Sequence, residues 1–346
     1  MRYVRNWKKW LVRGSLVAVT LAATCAVAEE APHARAEIYK PTIIYQYSGE
    51  GKDSTFIHAA YNGIIRAEEE FKSPIEVVQV KTVEELPAAI QRAAESGANP
   101  VVLLGNLSVE PVSKLAPDYP MTHFTVIDGL VPPIYQNVHS VLFKNNEGAF
   151  LVGIIAGKMS HNGFIGFVGG MDGPLIRNFA AGFTQGVKYA APNAVVNVQM
   201  VGNNADAWNN PEKAHTIAIS QFHEGAEVVF AAAGGSSIGV LKAADETGKL
   251  AIGVDTNQNG LYPGRVLTSM VKRVDAAVYD TLRQAHDGSW TSGLQYLGVK
   301  EGALDYAVDQ YNRALMTEPL IEQVATARDR IVNGTLTVDS YNEGGK

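Results

Sequence analysis

The sequence predicts an α/β protein with two doubly wound, parallel-sheet lobes, a hinge and a cleft between the lobes. Three observations support this fold class. Short apolar segments rich in β-branched residues alternate with segments of helical spacing along most of the chain, as in successive βαβ units. This alternation starts again near residue 147. The length of 346 residues suits about two domains.

The first set of elements begins after residue 41. Its predicted strands are short and apolar, and they cover residues 42–47, 75–80, 101–104, 124–127 and 138–143. Its predicted helices have apolar residues spaced near 3.6, and they cover residues 56–71, 83–96 and 108–115. Because strands alternate with helices of this length, the strands are expected to run parallel.

The second set repeats the pattern. Its predicted strands cover residues 164–168, 195–201, 228–232, 251–254 and 266–271. Its predicted helices cover residues 147–159, 175–190, 211–224, 238–247, 276–286 and 320–331. Proline at helix starts (Pro174, Pro211) and glycine after helix ends (Gly225, Gly248) agree with these bounds.

The two sets suggest where the lobes divide. We expect an N-terminal lobe of residues 37–146 and about 274–290. The C-terminal lobe would then contain residues 147–273 and about 291–340.

The N-terminus has the pattern of a secretory signal peptide. An apolar run at residues 16–23 precedes Ala26-Val27-Ala28, which suits signal peptidase, and Glu29 follows. The run is too short to span a bilayer comfortably. Basic residues stand before the run: Arg2, Arg5, Lys8, Lys9 and Arg13. We therefore expect residues 1–28 to be a signal peptide that is cleaved after Ala28 during export to the periplasm.

Cys25 is the only cysteine of the chain. Cleavage after Ala28 would remove it and leave no disulfide, thiol chemistry or cysteine metal site. The alternative is a lipoprotein signal, because the segment from Leu21 to Cys25 resembles a lipobox. In that case a lipid on Cys25 would anchor the protein to the membrane surface.

The composition argues against two classes of function. The net charge is −6 although the N-terminal segment is basic, so the exported part is strongly acidic and nucleic acid is not an expected partner. The sequence also lacks H-x-x-x-H and H-E-x-x-H patterns. The glycine-rich segment 166–173 matches neither common phosphate-binding loop. We expect no enzyme activity, no cofactor and no metal.

Polar residues follow several predicted strands, where parallel sheets place their ligands. They are Asp128, Asp172, Asp255 and Lys272. Asp128 could instead be a turn residue, and Asp172 could cap the following helix. Asp255 and Lys272 could form an ion pair only, but together they also suit a vicinal diol.

Other candidates lie in the loops. Asp53 precedes a helix, where it would cap the helix or face a ligand, and Phe56 would be core or the wall of a pocket. Trp208 lies in a long polar loop, which favours stacking on a planar ligand over core packing. Gly234 begins a Gly-Gly-Ser-Ser turn that allows close backbone approach or a helix cap.

Three long segments carry a family resemblance: NNEGAFLVGIIAGKMS, GFIGFVGGMDGPLIRNFAAGFTQGVKYAAPNA and VLTSMVKRVDAAVY. From about Thr42 to its C-terminus, the chain resembles the basic-membrane-protein family of ABC-transporter solute-binding proteins, the purine nucleoside receptors. The resemblance implies a type I periplasmic-binding-protein fold with a nucleoside held between the lobes.

The resemblance also implies roles for individual residues. Asp53 and Phe56 match the first and last residues of the family's D-x-[SG]-F segment, and the resemblance implies that Phe56 faces the base. Trp208 matches a family phenylalanine and would cover the other face of the base. Asp128 would lie on the base side, and the ribose side would be formed by Gly234, Asp255 and Lys272.

The chain departs from the family pattern in places. Trp208 replaces the phenylalanine, and Ile57 and His58 stand where the family has Asn and a further polar residue. The ribose contacts therefore match the family, whereas the contacts to the base differ.

The expected function is capture of a nucleoside, favouring a purine nucleoside, by closure about the hinge and delivery to a membrane permease. We expect a monomer. One alternative is a sensor or receptor input domain that binds a sugar or signal molecule. The other is a nucleoside-processing enzyme such as a hydrolase or a dehydrogenase.

Overall fold

A computed structural model describes residues 39–49, 54–133 and 135–342 of the chain. The predicted signal peptide with Cys25, and the candidate residue Asp53, lie outside the described residues.

The first lobe is built on a six-stranded parallel sheet. Its strands are β1 (Thr42–Gln46), β2 (Glu76–Val80), β3 (Val101–Leu104), β4 (Phe124–Ile127), β5 (Val138–Phe143) and β11 (Gly293–Leu297). Its helices are α1 (Thr55–Phe71), α2 (Leu86–Glu95), α3 (Val109–Leu115) and α8 (Val274–His286). The central strands β3 and β4 are fully buried, as expected when helices cover both faces of a parallel sheet.

The second lobe contains another six-stranded sheet. Its strands are β6 (Phe164–Met171), β7 (Val195–Gly202), β8 (Val228–Ala232), β9 (Leu250–Asp255), β10 (Val266–Lys272) and β12 (Leu304–Tyr306). Its helices are α4 (Asn145–Met159), α5 (Pro174–Ala190), α6 (Pro211–His223), α7 (Ser237–Thr247) and α9 (Glu318–Val332).

The two sheets have the same strand order. The first runs β2-β1-β3-β4-β5-β11 and the second β7-β6-β8-β9-β10-β12. They differ at the last strand, because β12 pairs antiparallel with β10 while β11 is parallel to β5. Strand β4 of one lobe therefore corresponds to β9 of the other, and β5 corresponds to β10. The predicted fold class, two doubly wound parallel-sheet lobes, is confirmed.

The described chain crosses between the lobes at three places: after β5, after β10 and after β11. Backbone hydrogen bonds connect these crossings to one another. The Lys144 amide donates to the Leu297 carbonyl over 2.8 Å, and the Arg273 amide donates to the Ala303 carbonyl over 2.9 Å. These short, hydrogen-bonded crossings form the hinge region.

Strand β11 differs from the sequence-based expectation. The sequence pattern predicts that residues from about 291 onward belong to the C-terminal lobe, yet β11 lies at the edge of the first sheet, where Gly293 pairs with His139 and Leu297 with Phe143. Its middle residues are exposed. Its place is fixed by pairing with a strand about 150 residues earlier, so local pattern did not reveal it.

Helices α4 and α5 pack against each other through glycines. A side-chain Cβ at Gly153 would lie 2.3 Å from the Phe183 carbonyl oxygen, and one at Gly186 would lie 2.1 Å from the Phe150 carbonyl oxygen. Neither position has room for a methyl group, so the close approach of the two helices requires glycine. This contact fixes α5, whose first turns reach the cleft.

Candidate ligand-binding site

A cavity lies between the carboxyl ends of the two sheets. It encloses about 760 Å³ of empty space, including the part of its mouth that is open to solvent, which falls within the usual range for small-molecule sites. Its lining residues come from both lobes: Gln46, Tyr47, Ser54, Phe56, Ile57, Leu104, Gly105, Asn106, Leu107, Asp128, Leu175, Ile176, Phe179, Trp208, Ala232, Gly234, Val254, Asp255 and Lys272. This is the position at which open α/β sheets bind ligands.

Asp128 and Asp255 occupy equivalent places in the two lobes. Asp128 directly follows β4, and Asp255 is the last residue of β9. Both have left-handed backbone conformations, with φ of 66° and 64°, which aspartate tolerates better than most residues. Both are buried, with 5% and 6% of their surface exposed. The matched geometry directs one carboxylate from each lobe to the cavity.

Lys272 supplies a buried positive charge. It ends β10, only 2% of it is exposed, and its ammonium forms an ion pair and hydrogen bond with Oδ2 of Asp128. The ammonium also lies 4.7 to 5.6 Å from the ring centres of Phe56, Phe143 and Phe179. Aromatic rings at such distances favour a cation, so the charge is held by one carboxylate and three rings.

The second oxygen of Asp128 has no hydrogen-bond partner among the described residues. Oδ1 is buried and makes no hydrogen bond to the described residues. Buried polar atoms in native proteins usually have a hydrogen-bond partner, so a buried oxygen without one needs an explanation. Because Asp128 lines the cavity, a ligand N–H or O–H is the donor that would fit it.

Asp255 is bonded across the cleft. The hydroxyl of Thr55, at the start of α1 in the first lobe, donates to Oδ2 of Asp255 over 2.6 Å. Burial raises the pKa of Asp255, while the charge of Lys272 and the bond from Thr55 act in the opposite direction. A strongly buried, perturbed carboxyl in a cleft is typical of functional sites.

Two aromatic side chains form walls of the cavity from opposite lobes. Phe56 lies in the first turn of α1, and Trp208 lies in a short 3₁₀ helix, Ala205–Asn209. Both are half-buried and line the cavity. A planar ring between them would be offered an aromatic surface on each side.

The Gly-Gly-Ser-Ser turn holds Trp208 in place. The buried hydroxyl of Ser236 donates to the Ala207 carbonyl over 2.8 Å and accepts from the Asn210 amide over 2.7 Å. These two hydrogen bonds fix the backbone before and after Trp208. Gly234 has a φ of 56°, a conformation that favours glycine, and its backbone lines the cavity beside the indole.

The structure brings most of the predicted site residues together. The cavity lining includes Phe56, Asp128, Trp208, Gly234, Asp255 and Lys272. The ion pair of Lys272 is formed with Asp128, whereas the sequence indicated its strand neighbour Asp255.

Asp172 does not face the cavity, and the interpretation that it points at a ligand is wrong. Its two oxygens accept hydrogen bonds of 2.7 and 2.9 Å from the Arg177 guanidinium. This ion pair lies at the surface and lowers the pKa of Asp172. Helix α5 is capped by Gly173 instead. Arg177 stands in the first turns of the same helix, where it reaches the carboxylate.

Sequence reasoning missed several residues in and around the cavity. Asn106 follows Gly105 after β3 and could have been found as another polar residue at a strand end. The rings of Phe143, at the end of β5, and Phe179, in α5, lie beside the ammonium of Lys272. The sequence did not identify them as site residues, because apolar residues in these elements are expected in the core.

Two features are absent from the part of the chain that the structure describes. It holds no group of three or more His, Cys, Asp or Glu side chains that could bind a metal ion. Its helices also include none long and apolar enough to cross a membrane.

Comparison with known proteins gave matches in both sequence and structure. An uncharacterized lipoprotein of Pyrococcus abyssi is 30% identical over 301 residues, which cover 84% of this chain and 74% of the relative. Basic membrane protein A of Borreliella burgdorferi is 29% identical over 313 residues, which cover 89% of each protein.

The structure resembles that of an ABC transporter system solute-binding protein from Aeropyrum pernix K1. The TM-score is 0.80 at 25% identity, over 89% of this chain and 95% of the other. This agreement confirms the type I periplasmic-binding-protein fold. Residues 40–340 match the family model described as ABC transporter substrate-binding protein, PnrA-like. The chain therefore belongs to the PnrA-like family of ABC transporter substrate-binding proteins.

Proposed function

We propose that this solute-binding protein captures a nucleoside, and specifically a purine nucleoside. The observation that carries the proposal is one cavity that combines an aromatic wall on each lobe with two buried carboxylates and one buried ammonium. A nucleoside has a planar base and a vicinal diol, so each part of the cavity has a matching part of the ligand.

Asp255 and Lys272 suit the ribose. They end neighbouring parallel strands, β9 and β10, and Asp255 is in register with Val271, next to the lysine. A carboxylate can accept both hydroxyl protons of a diol, and an ammonium can donate to the hydroxyl oxygens. The Lys272 ammonium would then bind the ribose and the Asp128 carboxylate at the same time.

Phe56, Trp208 and Asp128 suit the base. The two rings would stack on its faces, an interaction worth about 1–3 kcal/mol per base. The free oxygen of Asp128 would accept a base N–H, and leaving a buried group of this kind unmatched costs about 1–3 kcal/mol.

The site would work by closure of the lobes about the three chain crossings, since its walls come from both lobes. The loaded protein would then dock on a membrane permease, in keeping with the substrate-binding family of an ABC transporter. We further propose that the protein is exported and acts as a monomer in the periplasm, with a lipid anchor on Cys25 as the alternative. Relatives named lipoproteins, such as that of Pyrococcus abyssi, support export by either route.

Calorimetric titration tests the ligand class. Inosine, guanosine and adenosine are compared with free ribose, the free bases and a 2′,3′-dideoxynucleoside. We expect the intact nucleosides to bind, and the dideoxy compound to bind at least tenfold more weakly because Asp255 and Lys272 lose their partners. Mass spectrometry of small molecules released from the denatured protein identifies any ligand that copurifies.

Three outcomes would contradict the proposal. Binding of a sugar with no binding of any nucleoside would favour the sugar-binding alternative. Release of free base during incubation would favour an enzyme. Equal affinity for the nucleoside and its dideoxy analogue would show that the protein does not contact the diol.

A further inference from the structure

We propose that Gly170 sets the width of the aromatic slot, because its missing side chain leaves the space in which the Trp208 indole lies. The inference rests on the proposed function, in which Phe56 and Trp208 hold the base between them. It assigns a positioning role to a residue that does not itself line the cavity.

The contact is unusually close. A Cβ on Gly170 would lie 2.5 Å from Cζ3 and 2.6 Å from Cε3 of Trp208, and 3.3 Å from the Ala233 Cα. Real Cβ atoms essentially never approach other heavy atoms within 3.0 Å. A methyl group at this position therefore requires the indole, or the backbone of β6, to move.

Backbone conformation does not explain the glycine. Gly170 lies inside β6, and it is absent from the described residues with positive φ. Alanine could adopt the same backbone without strain. The neighbours that exclude a side chain are Trp208 and Ala233.

The indole lies between the strand β6 with the Gly-Gly-Ser-Ser turn and the cavity. On one side it meets Gly170, and close by lies Gly234, where a Cβ would be 3.4 Å from Cε3 of Trp208. Ser236 fixes the backbone on both sides of the ring. Trp208 also lines the cavity. A methyl group at position 170 would thus push the ring toward Phe56 and narrow the slot.

The proposal couples one small residue to one large one. A phenylalanine at position 208 would lack the Cζ3 and Cε3 atoms of the indole six-membered ring, which are those nearest Gly170. Gly170 is thus the residue that lets this chain use tryptophan as a wall without losing space for the base.

The test compares Gly170→Ala with Gly173→Ala. Gly173 is three residues further along, and a Cβ there would meet nothing within 4 Å. Two readouts are measured: nucleoside affinity by calorimetry, and the emission maximum and acrylamide quenching of tryptophan fluorescence before any ligand is added. Trp208→Phe identifies the part of the fluorescence that comes from Trp208.

We expect Gly170→Ala to weaken nucleoside binding at least tenfold and to shift the Trp208 emission, while Gly173→Ala changes neither. In the double variant Gly170→Ala/Trp208→Phe, affinity should return to within about threefold of Trp208→Phe alone. If Gly170→Ala does not fold, recovery of folding in the double variant is the expected result.

Other results would overturn the inference. Unchanged affinity and emission in Gly170→Ala would show that the methyl group is accommodated. A double variant as weak, or as poorly folded, as Gly170→Ala alone would assign the effect to Ala233 and the strand. If the wild-type protein binds no nucleoside, the proposed function fails, and the emission of Trp208 still decides whether Gly170 positions the ring.

Discussion

Lys272 and Asp128 form a buried ion pair that joins the two lobes. One residue ends β10 of the second sheet and the other follows β4 of the first, so the pair can exist only when the lobes are close together. The interaction thus stabilises this arrangement of the lobes and, in the proposed function, also takes part in recognition of the ligand.

Breaking this pair should be costly. Lys272→Met leaves the Asp128 carboxylate buried without its cation, and we expect the free energy of unfolding to fall by about 3–5 kcal/mol in urea titrations. The double variant Lys272→Met/Asp128→Asn should recover part of the loss, because it removes both charges. Arg177→Met, which breaks the exposed pair with Asp172, is the matched control and should cost about 0–1 kcal/mol. Equal losses for Lys272→Met and Arg177→Met would contradict the prediction.

Asp255→Asn should separate stability from binding. Because burial raises the pKa of Asp255 in the folded protein, the folded state holds more protons than the unfolded state above the ordinary value of 3.8. Stability therefore decreases as the pH rises through the window between the two pKa values, and the neutral amide avoids this decrease. We expect the variant at pH 7 to be as stable as the wild type or more so.

The same variant should bind nucleoside about 1–3 kcal/mol more weakly, because a carboxylate acceptor of the ribose hydroxyls is lost. Thermal unfolding at a series of pH values and calorimetry measure the two effects. A variant that is clearly less stable at pH 7 would mean that the charge of Lys272 outweighs the burial of Asp255.

Thr55→Val should weaken the contact across the cleft. Valine keeps the shape of threonine but cannot donate to Asp255, so we expect a loss of about 1.5–3 kcal/mol in stability, typical of a hydrogen bond to a charged group. The pKa of Asp255 should rise further, since the bond from Thr55 lowers it. Thr55→Ser keeps the hydroxyl and should behave like the wild type; a serine variant as weak as the valine variant would assign the effect to packing.

Trp208→Ala should reduce nucleoside affinity by about 1–3 kcal/mol, because one stacking surface is lost, whereas Trp208→Phe should keep most of the affinity. Nucleoside should change tryptophan fluorescence in the wild type, and Trp208→Phe should remove most of that change. Trp290→Phe is the control, since Trp290 stacks on His123 with ring centres 4.0 Å apart and does not line the cavity. An unchanged dissociation constant for Trp208→Ala would place the loop outside the ligand contact.

The sequence was sufficient to predict the architecture because the folding signal is local. Alternating apolar strands and amphipathic helices predicted every central strand of both sheets. The edge strands β11 and β12 were missed because they are short, and their partners lie far away in the chain. β11 also has an exposed middle, and β12 has only three residues.

The candidate site could be predicted only in part. Strand ends predicted where Asp128, Asp255 and Lys272 lie, since parallel strands deliver their last residues to one edge. Which of them pair could not be predicted, because Lys272 and Asp128 are 144 residues apart and meet only after the lobes come together. Asp172 was wrongly interpreted as facing a ligand, because its carboxylate is bound at the surface by Arg177, five residues further along the chain.

The common strand order of the two sheets gives the cleft an approximate internal symmetry, and one residue breaks it. Each lobe contributes an aspartate from the same position, so the two acids alone would offer a ligand two opposite orientations. Strand β10 ends in Lys272, however, and its counterpart β5 ends in Phe143, whose ring packs beside the ammonium. Lys272 is the only cation among the described residues that line the cavity. Among the described residues, Lys272 therefore gives the two ends of the cleft different charge, and a ligand with one polar end would meet two unlike sites.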